Sequence, residues 1–577
     1  MYIKFKLIFS LMDHKDKRRL FWVFTSGLIA GILNVVGIAS ILPFISVISE
    51  PELIESNEYI KIFSEVTGIK SLFGIILSFG LISFVMILFG NIVNVYDIWL
   101  SAKFGFYKEK QLSKKLLSIY LDMNQLEFNN RKIAERVKNI LTEIDRVIID
   151  TLFEMMDLIT GIVVATLVFS LLLFINVQAA IIITCVLIFA YLIIYIFTSD
   201  KLNKLGEEFT DIETDLYANV METLKNHQEI KLSQKTQFFA KRYNSIFSKM
   251  IKNQIKLEFI SLIPQQIIEI TAFGSIIFLA IYFSVGDSSG FSVVAMLSMY
   301  AFAAYRLMPV IAEIFDSFEK IQFGSAILKR LIKDFNGEVT PTNKNIKVDS
   351  QSKLSRMKIF KKLDMRDICF SYSNSNHIFS SLSISISANQ FHCIVGKTGR
   401  GKSTLLNLIA GLYLNQSGEI TVDGNKVQLY ENSRWFEGLS YIPPNVQLIE
   451  GSVLENIALG ERLEDIDREK VIKYSKLVDL NAHIITLAAG YNTIIGSEGT
   501  SLSSGQSQKI GIARALYQEP SLLLLDESTD ALDITSERLV LEALKKIESL
   551  TIVFVSHRLS VKDFADSVID LDQLLKG

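Results

Sequence analysis

The stretch FHCIVGKTGRGKSTLLNLIAG, which starts at Phe391, has the residue types and spacing needed to bind phosphate groups. An apolar run predicts a strand up to Val395, residues 396–402 fit the pattern G-x-x-x-x-G-K, and a helix is predicted to begin at Ser403. Glycines let backbone N–H groups and the helix N-terminus converge on phosphate oxygens, while Lys402 can reach the β and γ phosphates. The predicted phosphate contacts are Gly396, Lys397, Thr398, Gly399, Arg400, Gly401, Lys402, Ser403 and Thr404.

A second motif, PSLLLLDESTDALD, places two adjacent carboxylates at the end of an apolar run. The four leucines predict a buried strand, after which Asp526 can hold Mg²⁺ together with the Ser403 hydroxyl. Glu527 can polarise an attacking water molecule. In isolation the pair is equally compatible with a turn that carries solvated acids. The phosphate loop elsewhere in the chain favours hydrolysis of a nucleotide.

The composition predicts a membrane protein, because the 577 residues are 50% hydrophobic and have a mean hydropathy of +0.33. Long apolar runs of about 20 residues or more are each sufficient to cross a bilayer. They predict six spans, at 20–48, 72–100, 158–177, 179–197, 259–285 and 291–315. The net charge of −2 gives no sign of a nucleic-acid partner.

The distribution of basic residues predicts the orientation of these spans. The residues before the first span include Lys4, Lys6, Lys15, Lys17, Arg18 and Arg19, whereas the segment after it is acidic. Basic segments remain on the cytoplasmic side, so we expect the N-terminus there and a location in the plasma (inner) membrane. The lysine-rich segments 101–150 and 198–256 repeat apolar residues every three or four positions. This spacing predicts that the spans continue as helices into the cytoplasm.

A change of composition near residue 333 predicts two domains joined by a linker. Residues 1–332 form the predicted helical membrane domain, 333–357 a polar linker, and 358–577 a domain of alternating strands and helices. The last segment has about 220 residues, an ordinary length for one α/β domain.

Further motifs resemble those of ATP-binding cassette proteins. SLSSGQSQKIGIARAL, which lies between the phosphate loop and the carboxylate pair, is similar to the family's signature, and VFVSHRLS to its switch-histidine segment. Tyr372 resembles the residue that stacks on adenine, and TDALD the loop that meets the partner subunit. With six spans upstream, the chain resembles an exporter half-transporter: a polytopic helical membrane domain followed by an α/β phosphate-loop cassette.

This resemblance implies ATP and Mg²⁺ as cofactors and a dimer of two facing cassettes, with a homodimer as the simplest assembly. ATP on Lys402 of one copy would be closed over by Ser503, Gly505 and Gln506 of the other. Glu527 would be the catalytic base, and His557 would hold the γ phosphate. The turns near residues 130 and 226 would be coupling helices that dock on the cassettes.

Two residues depart from the family pattern. Ser504 replaces a glycine of the signature, and Pro444 in YIPPNVQLI replaces a glutamine. Proline has no side-chain donor or acceptor. One interpretation is that the enzyme tolerates this loss, with Ser403 and Asp526 still holding Mg²⁺. The other is impaired hydrolysis or altered coupling.

An arginine, Arg306, interrupts the sixth apolar run. A charge in the hydrocarbon is costly, so it usually has a partner or faces a pathway. One interpretation is an ion pair with Glu269 or Glu313, and the other is an anionic substrate that the guanidinium binds through two oxygens. AYRLMP, the acidic segment after the first span and YNTIIGSEGTSLSSGQ ahead of the signature together resemble PglK-type flippases, which implies an anionic lipid-linked oligosaccharide as cargo. Export of a peptide, lipid or small amphiphile, and a weakly hydrolysing regulatory or channel-like protein, remain alternatives.

Overall fold

A computed structural model describes most of the chain: residues 2–49, 58–69, 71–175, 177–285, 293–336, 357–359, 361–372, 377–430, 432–496, 500, 502–556 and 558–575. The chain divides into two compact bodies. The helical body contains residues 1–121 and 130–340, and the α/β body contains residues 122–129 and 341–577.

Long helices dominate the helical body. In chain order the helices are α1 (Tyr2–Ser10), α2 (His14–Ser49), α3 (Glu58–Thr67), α4 (Leu72–Leu121), α5 (Gln125–Asn130, most of which belongs to the α/β body), α6 (Ile133–Lys138), α7 (Ile144–Val147), α8 (Glu154–Ile175), α9 (Val177–Lys225), α10 (His227–Leu232), α11 (Thr236–Val285), α12 (Val293–Phe323) and α13 (Ser325–Asn336). Two π-helical turns, Asn139–Glu143 and Ile148–Phe153, join α6 to α8 through α7.

Each predicted span coincides with one of the helices α2, α4, α8, α9, α11 and α12. Among the described residues, three segments are long and apolar enough to cross a membrane: His14–Gly37, Leu72–Leu121 and Ile133–Ser170. Helices α4, α9 and α11 have 50, 49 and 50 residues, so the predicted continuation beyond the spans as helix is confirmed.

Buried ion pairs fix the packing of these helices. Helix α2 packs along α4, and the Lys108 ammonium lies 2.6 Å from the Asp16 carboxylate, both side chains being buried. Arg146 donates two hydrogen bonds, of 2.7 and 2.9 Å, to Glu213. Breaking such a pair leaves an uncompensated buried charge, which constrains the helices to one arrangement. Helix α13 continues to Asn336, beyond residue 333, where we predicted the linker to begin.

The α/β body contains short strands and helices. The strands are β1 (Lys362–Ser371), β2 (His377–Ser387), β3 (Phe391–Val395), β4 (Ser417–Val422), β5 (Asn425–Lys426), β6 (Leu439–Ile442), β7 (Gly451–Ser452), β8 (Ile494–Ile495), β9 (Leu522–Asp526), β10 (Thr551–Val555) and β11 (Ser567–Asp570). The helices are α14 (Lys402–Ile409), α15 (Ser433–Glu437), α16 (Val453–Ile457), α17 (Arg468–Leu477), α18 (Asn481–Thr486), α19 (Ser504–Tyr517), α20 (Ile534–Lys545) and α21 (Leu571–Leu574), with 3-10 turns at Gly490–Asn492 and Leu559–Phe564.

A parallel sheet in the order β11-β3-β10-β9-β6 forms the centre of this body, and a separate antiparallel sheet has the order β2-β1-β4-β5. The leucines of β9 alternate between two apolar clusters. Leu523 and Leu525 pack in one cluster, and Leu522 and Leu524 in the other. A strand buried on both faces must be apolar throughout, which explains the run of four leucines. Because these strands are parallel, the segments that follow β3, β9 and β10 leave the sheet at one edge.

The segment 122–129 belongs to the α/β body, although it lies between helices of the helical body in sequence. Leu126 packs against the apolar cluster that contains β1, β2 and α14, and the Asn129 side chain is hydrogen-bonded to Tyr413. The second predicted coupling turn is the short helix α10, in which Leu232 is 85% exposed.

Candidate nucleotide-binding site

The predicted phosphate loop connects β3 to α14, in the expected order of strand, loop and helix. Gly401 has a φ of 88°, and an added Cβ would lie 2.7 Å from the Cγ2 atom of Ile378. Only glycine fits this left-handed and crowded position without strain. The Lys402 ammonium is buried and donates a 3.1 Å hydrogen bond to the Gly396 carbonyl. It therefore lies over the loop whose N–H groups are predicted to bind phosphate.

Asp526, at the end of β9, accepts hydrogen bonds on both carboxylate oxygens. The Ser403 hydroxyl donates to Oδ1 and the Tyr441 hydroxyl to Oδ2, each at 3.0 Å. Burial raises the pKa of Asp526 above its usual range, and the two hydroxyl donors oppose that shift. Burial and the neighbouring carboxylate raise the pKa of Tyr441, which keeps its hydroxyl protonated. The oxygens of Ser403 and Asp526 suit Mg²⁺, a hard cation that prefers oxygen ligands.

Glu527 occupies the position directly after β9 and has a φ of 50°. Its backbone N–H donates a 3.0 Å hydrogen bond to the carbonyl of Val555, the last residue of β10. Left-handed backbone is strained for a glutamate, and such strain is concentrated at functional sites. His557 follows Val555 by two positions and lies outside the described residues.

The predicted adenine-stacking residue, Tyr372, is 53% exposed. Its ring makes edge contacts with Phe370 and Tyr413, at centroid distances of 5.2 and 5.8 Å. Its hydroxyl lies 2.8 Å from the Thr404 hydroxyl, on the helix that begins at Lys402. The ring is therefore held beside the phosphate loop with much of its surface open to a planar ligand.

The predicted signature residues form a second group. Ser503 caps α19: its hydroxyl accepts from the Gln506 N–H, and its own N–H donates to the Gln506 side chain. Ser503, Gly505 and Gln506 line an open hollow of about 500 Å³, together with Leu532 and Asp533. No residue of the phosphate loop is among the described residues that line this hollow.

Three residues that we did not predict from the sequence connect these parts. The buried Gln508 donates a 3.4 Å hydrogen bond to the Pro444 carbonyl and accepts one of 3.0 Å from the Ala531 N–H. Arg558 donates to the Asp530 carbonyl at 2.7 Å and to Glu537 at 2.9 Å. The third, Tyr441, is a hydroxyl-bearing residue in the run LSYI before Pro443, which was the available signal.

Arg306 lies on α12, and its side chain is outside the described residues. Both of the acids considered as partners, Glu269 and Glu313, have exposed side chains.

Two family models match the chain. The model described as ABC transporter matches residues 379–530, which include the phosphate loop and both carboxylates. The model described as ABC transporter transmembrane region matches residues 20–310, just over half of the chain. The chain belongs to the ABC transporters. A solved structure, of a bacterial Atm1-family ABC exporter with ATP bound, superposes with a TM-score of 0.77 over 97% of this chain and 94% of that one. At 19% identity this likeness establishes that the transporter has the exporter fold.

Curated relatives of this ABC transporter differ in how much of it they match. The Lactococcus lactis lactococcin-A transport/processing protein is 36% identical over 211 residues, 37% of this chain and 29% of that protein. The Haemophilus influenzae ATP-dependent lipid A-core flippase is 29% identical over 378 residues, 64% of this chain and 62% of the flippase. The transporter therefore spans less than two thirds of the length of either relative.

Proposed function

We propose that this chain is an ATP-driven exporter that works as a homodimer and moves an anionic lipid-linked substrate, most specifically a polyprenyl-pyrophosphate-linked oligosaccharide, to the outer leaflet. The separation of the two groups of site residues carries the dimer proposal. The phosphate loop and the carboxylates gather at one sheet edge, whereas Ser503 lines a different hollow. A second copy can supply Ser503 to the nucleotide of the first.

In the proposed reaction, water attacks the γ phosphate of ATP, the bond to ADP breaks, and Glu527 takes up the proton. Lys402 and the loop N–H groups orient the phosphates, and the switch histidine, His557, would hold the γ phosphate. Tyr372 would stack on the adenine. Ser403 and Asp526 would hold Mg²⁺, which neutralises charge on the β and γ phosphate oxygens when bound.

The length of the flippase match supports a lipid substrate. The α/β body has about 240 residues, a common domain size, so a match over 378 residues must extend into the helical body, which would bind the proposed cargo. The match to the lactococcin protein covers 211 residues and gives no such support for a peptide. A peptide or small amphiphile is therefore the second candidate.

The orientation of the transporter is part of this proposal. Basic residues before the first span and in the long helical segments support a cytoplasmic N-terminus and α/β body, in a transporter of the plasma (inner) membrane. ATP would then be hydrolysed on the side where it is made.

A regulatory or channel-like protein is the candidate from another class, and Pro444 favours it because a side chain that could contact nucleotide is missing. The Pro444 carbonyl nevertheless accepts a hydrogen bond from the Gln508 side chain, which in turn accepts one from the Ala531 N–H. The loop that contains Pro444 is therefore connected to the segment before Leu532. ATP turnover by the purified chain in liposomes separates the candidates. Turnover supports a pump, and ATP binding without turnover supports a regulator.

The contact between Tyr441 and Asp526 gives a prediction about the metal. Tyr441→Phe removes one hydrogen-bond donor from the buried Asp526 carboxylate. The loss of a hydrogen bond to a charged group typically weakens binding by a factor of about ten. Half-maximal ATP hydrolysis should then need about tenfold more Mg²⁺. The acidic limb of the pH profile should move to higher pH, because the pKa of Asp526 rises further without this donor.

The matched control for this measurement is Tyr474→Phe, which removes another hydrogen bond between a tyrosine and a carboxylate, of 3.1 Å to Glu519, in the same body. Steady-state hydrolysis is measured against Mg²⁺ and against pH for both variants. If Tyr441→Phe behaves like the control, Tyr441 does not position Asp526.

The prediction for Arg306 tests the choice of substrate. If the guanidinium binds a pyrophosphate, Arg306→Ala should abolish transport of the lipid-linked cargo and leave basal ATP hydrolysis largely intact. Arg306→Lys should recover only part, because an ammonium lacks the planar fork that pairs with two oxygens. Transport in liposomes and thermal stability are measured together. A destabilised Arg306→Ala protein that Glu269→Ala or Glu313→Ala rescues would instead identify a structural ion pair.

A further inference from the structure

An apolar hollow of about 300 Å³ lies in the helical body, between the N-terminal helices and the start of α8. Its walls are Phe5, Ile8, Phe9, Lys17, Leu20, Phe21, Phe24, Leu152, Met155, Met156 and Ile159. Ten of these side chains are apolar and one, that of Lys17, carries a charge. At about 30 Å³ for a group the size of water, the hollow holds roughly ten such groups in a row or cluster.

The hollow lies where the chain enters the membrane. Lys17 precedes the first predicted span by three residues, and Phe24 lies within that span, on the same helix, α2. Seven residues of α-helix rise about 10 Å, so the hollow reaches from the level of the headgroups into the acyl region of the leaflet beside the N-terminus. Aromatic side chains are common at this depth.

The walls are held in place by contacts outside the hollow. The buried pair of Lys108 and Asp16, 2.6 Å apart, fixes the start of α2 against α4. The Arg19 guanidinium lies 5.1 Å from the centre of the Tyr107 ring and adds a second tie between these helices. Leu152 and Met155 are 3% exposed and form a buried back wall, whereas Phe21 is 60% exposed at the rim. The hollow is therefore a preformed groove that is open on one side.

The positive charge at the rim of the hollow favours amphiphiles that have an anionic headgroup. The Lys17 side chain is exposed, and no carboxylate of a described residue forms an ion pair with it. Arg18 and Arg19 add positive charge within one turn of α2. Such a cluster beside a span attracts anionic lipid headgroups.

We propose that this groove binds an anionic phospholipid of the bilayer, with one acyl chain among the phenylalanines and methionines and the phosphate beside Lys17. The lipid is resident and separate from the cargo: none of the described residues that line the groove belongs to the sixth span, which carries Arg306. The small volume suits part of one acyl chain. The proposal does not depend on what the protein transports.

Native mass spectrometry of the full-length protein in detergent tests this site, with dioleoyl-phosphatidylglycerol and dioleoyl-phosphatidylcholine as probes. The wild-type chain should bind the first phosphatidylglycerol more tightly than phosphatidylcholine. Lys17→Gln should weaken phosphatidylglycerol binding about fivefold, the usual effect of one basic residue at an anionic surface. Lys15→Gln is the matched control, since it removes the same charge two residues away, outside the lining.

A second variant tests the apolar part. Met156→Trp places a larger side chain in the groove and should weaken binding of both lipids, and the melting temperature of each variant shows whether the helices still fold. Lys17→Arg should retain the preference for phosphatidylglycerol. Equal wild-type binding of the two lipids, equal losses in Lys15→Gln and Lys17→Gln, or unchanged binding by a folded Met156→Trp chain would each overturn the proposal.

Discussion

Glu527→Gln should lower steady-state ATP hydrolysis at least about 100-fold, the typical contribution of a general base, while ATP remains bound. The amide keeps the shape of the side chain but cannot take the proton from the attacking water. The Glu527 N–H bond to the Val555 carbonyl involves only the backbone, so the loop should keep its conformation. Turnover of the variant and its ATP occupancy after gel filtration measure the two parts of this result.

Two controls locate the effect. Glu548→Gln makes the same change at an exposed position of the same body and should leave turnover unchanged. Lys402→Ala should differ from Glu527→Gln by losing bound ATP as well as turnover, because it removes the charge that faces the phosphates. Unaltered turnover in Glu527→Gln would remove this residue from the role of base.

Mixed dimers should occlude one ATP where each parent variant occludes none. The two parent variants both carry Glu527→Gln. One also carries Lys402→Ala, which removes the phosphate contact, and the other also carries Ser503→Glu, which blocks the signature. A mixed dimer contains one chain of each. If each site combines Lys402 of one copy with Ser503 of the other, the mixed dimer keeps one intact site. If both residues serve the same site within a chain, every site in the mixture carries a defect.

This experiment uses two affinity tags on co-expressed chains, so that only mixed dimers are purified, and measures the ATP retained per dimer. The prediction is one ATP per mixed dimer and none in either parent. No retained ATP in the mixture, with two per dimer in the Glu527→Gln protein alone, would contradict a site shared between copies. The Ser503 position is suitable because the described part of its hollow contains no residue of the phosphate loop.

The elements that hold the site could be predicted from the sequence because each rests on a local pattern. The apolar runs coincide with helices, and FHCIVGKTGRGKS forms strand, loop and helix at the predicted positions. Gly401 occupies a conformation that glycine alone tolerates easily, so the motif and its geometry have the same cause.

The contacts that could not be predicted depend on which strands are neighbours. Tyr441 reaches Asp526 because β6 pairs with β9 in parallel, with Tyr441 opposite Leu524. Nothing within YIPPN shows that pairing. The inclusion of residues 122–129 in the α/β body likewise depends on Leu126 packing between elements that are distant in sequence. The extension of α13 to Asn336 was missed because Gly337 and Pro341 mark the end of a helix only approximately.

The most direct test of the proposed function is the movement of a fluorescent polyprenyl-pyrophosphate-linked oligosaccharide in liposomes that contain the purified protein. The fraction of label accessible to an external quencher is followed with ATP and Mg²⁺, and the Glu527→Gln protein serves as the control. We expect ATP-dependent transfer in the wild-type liposomes and none in the control. ATP hydrolysis without transfer of this lipid would contradict the proposed substrate, and transfer that is equal in the Glu527→Gln liposomes would contradict an ATP-driven exporter.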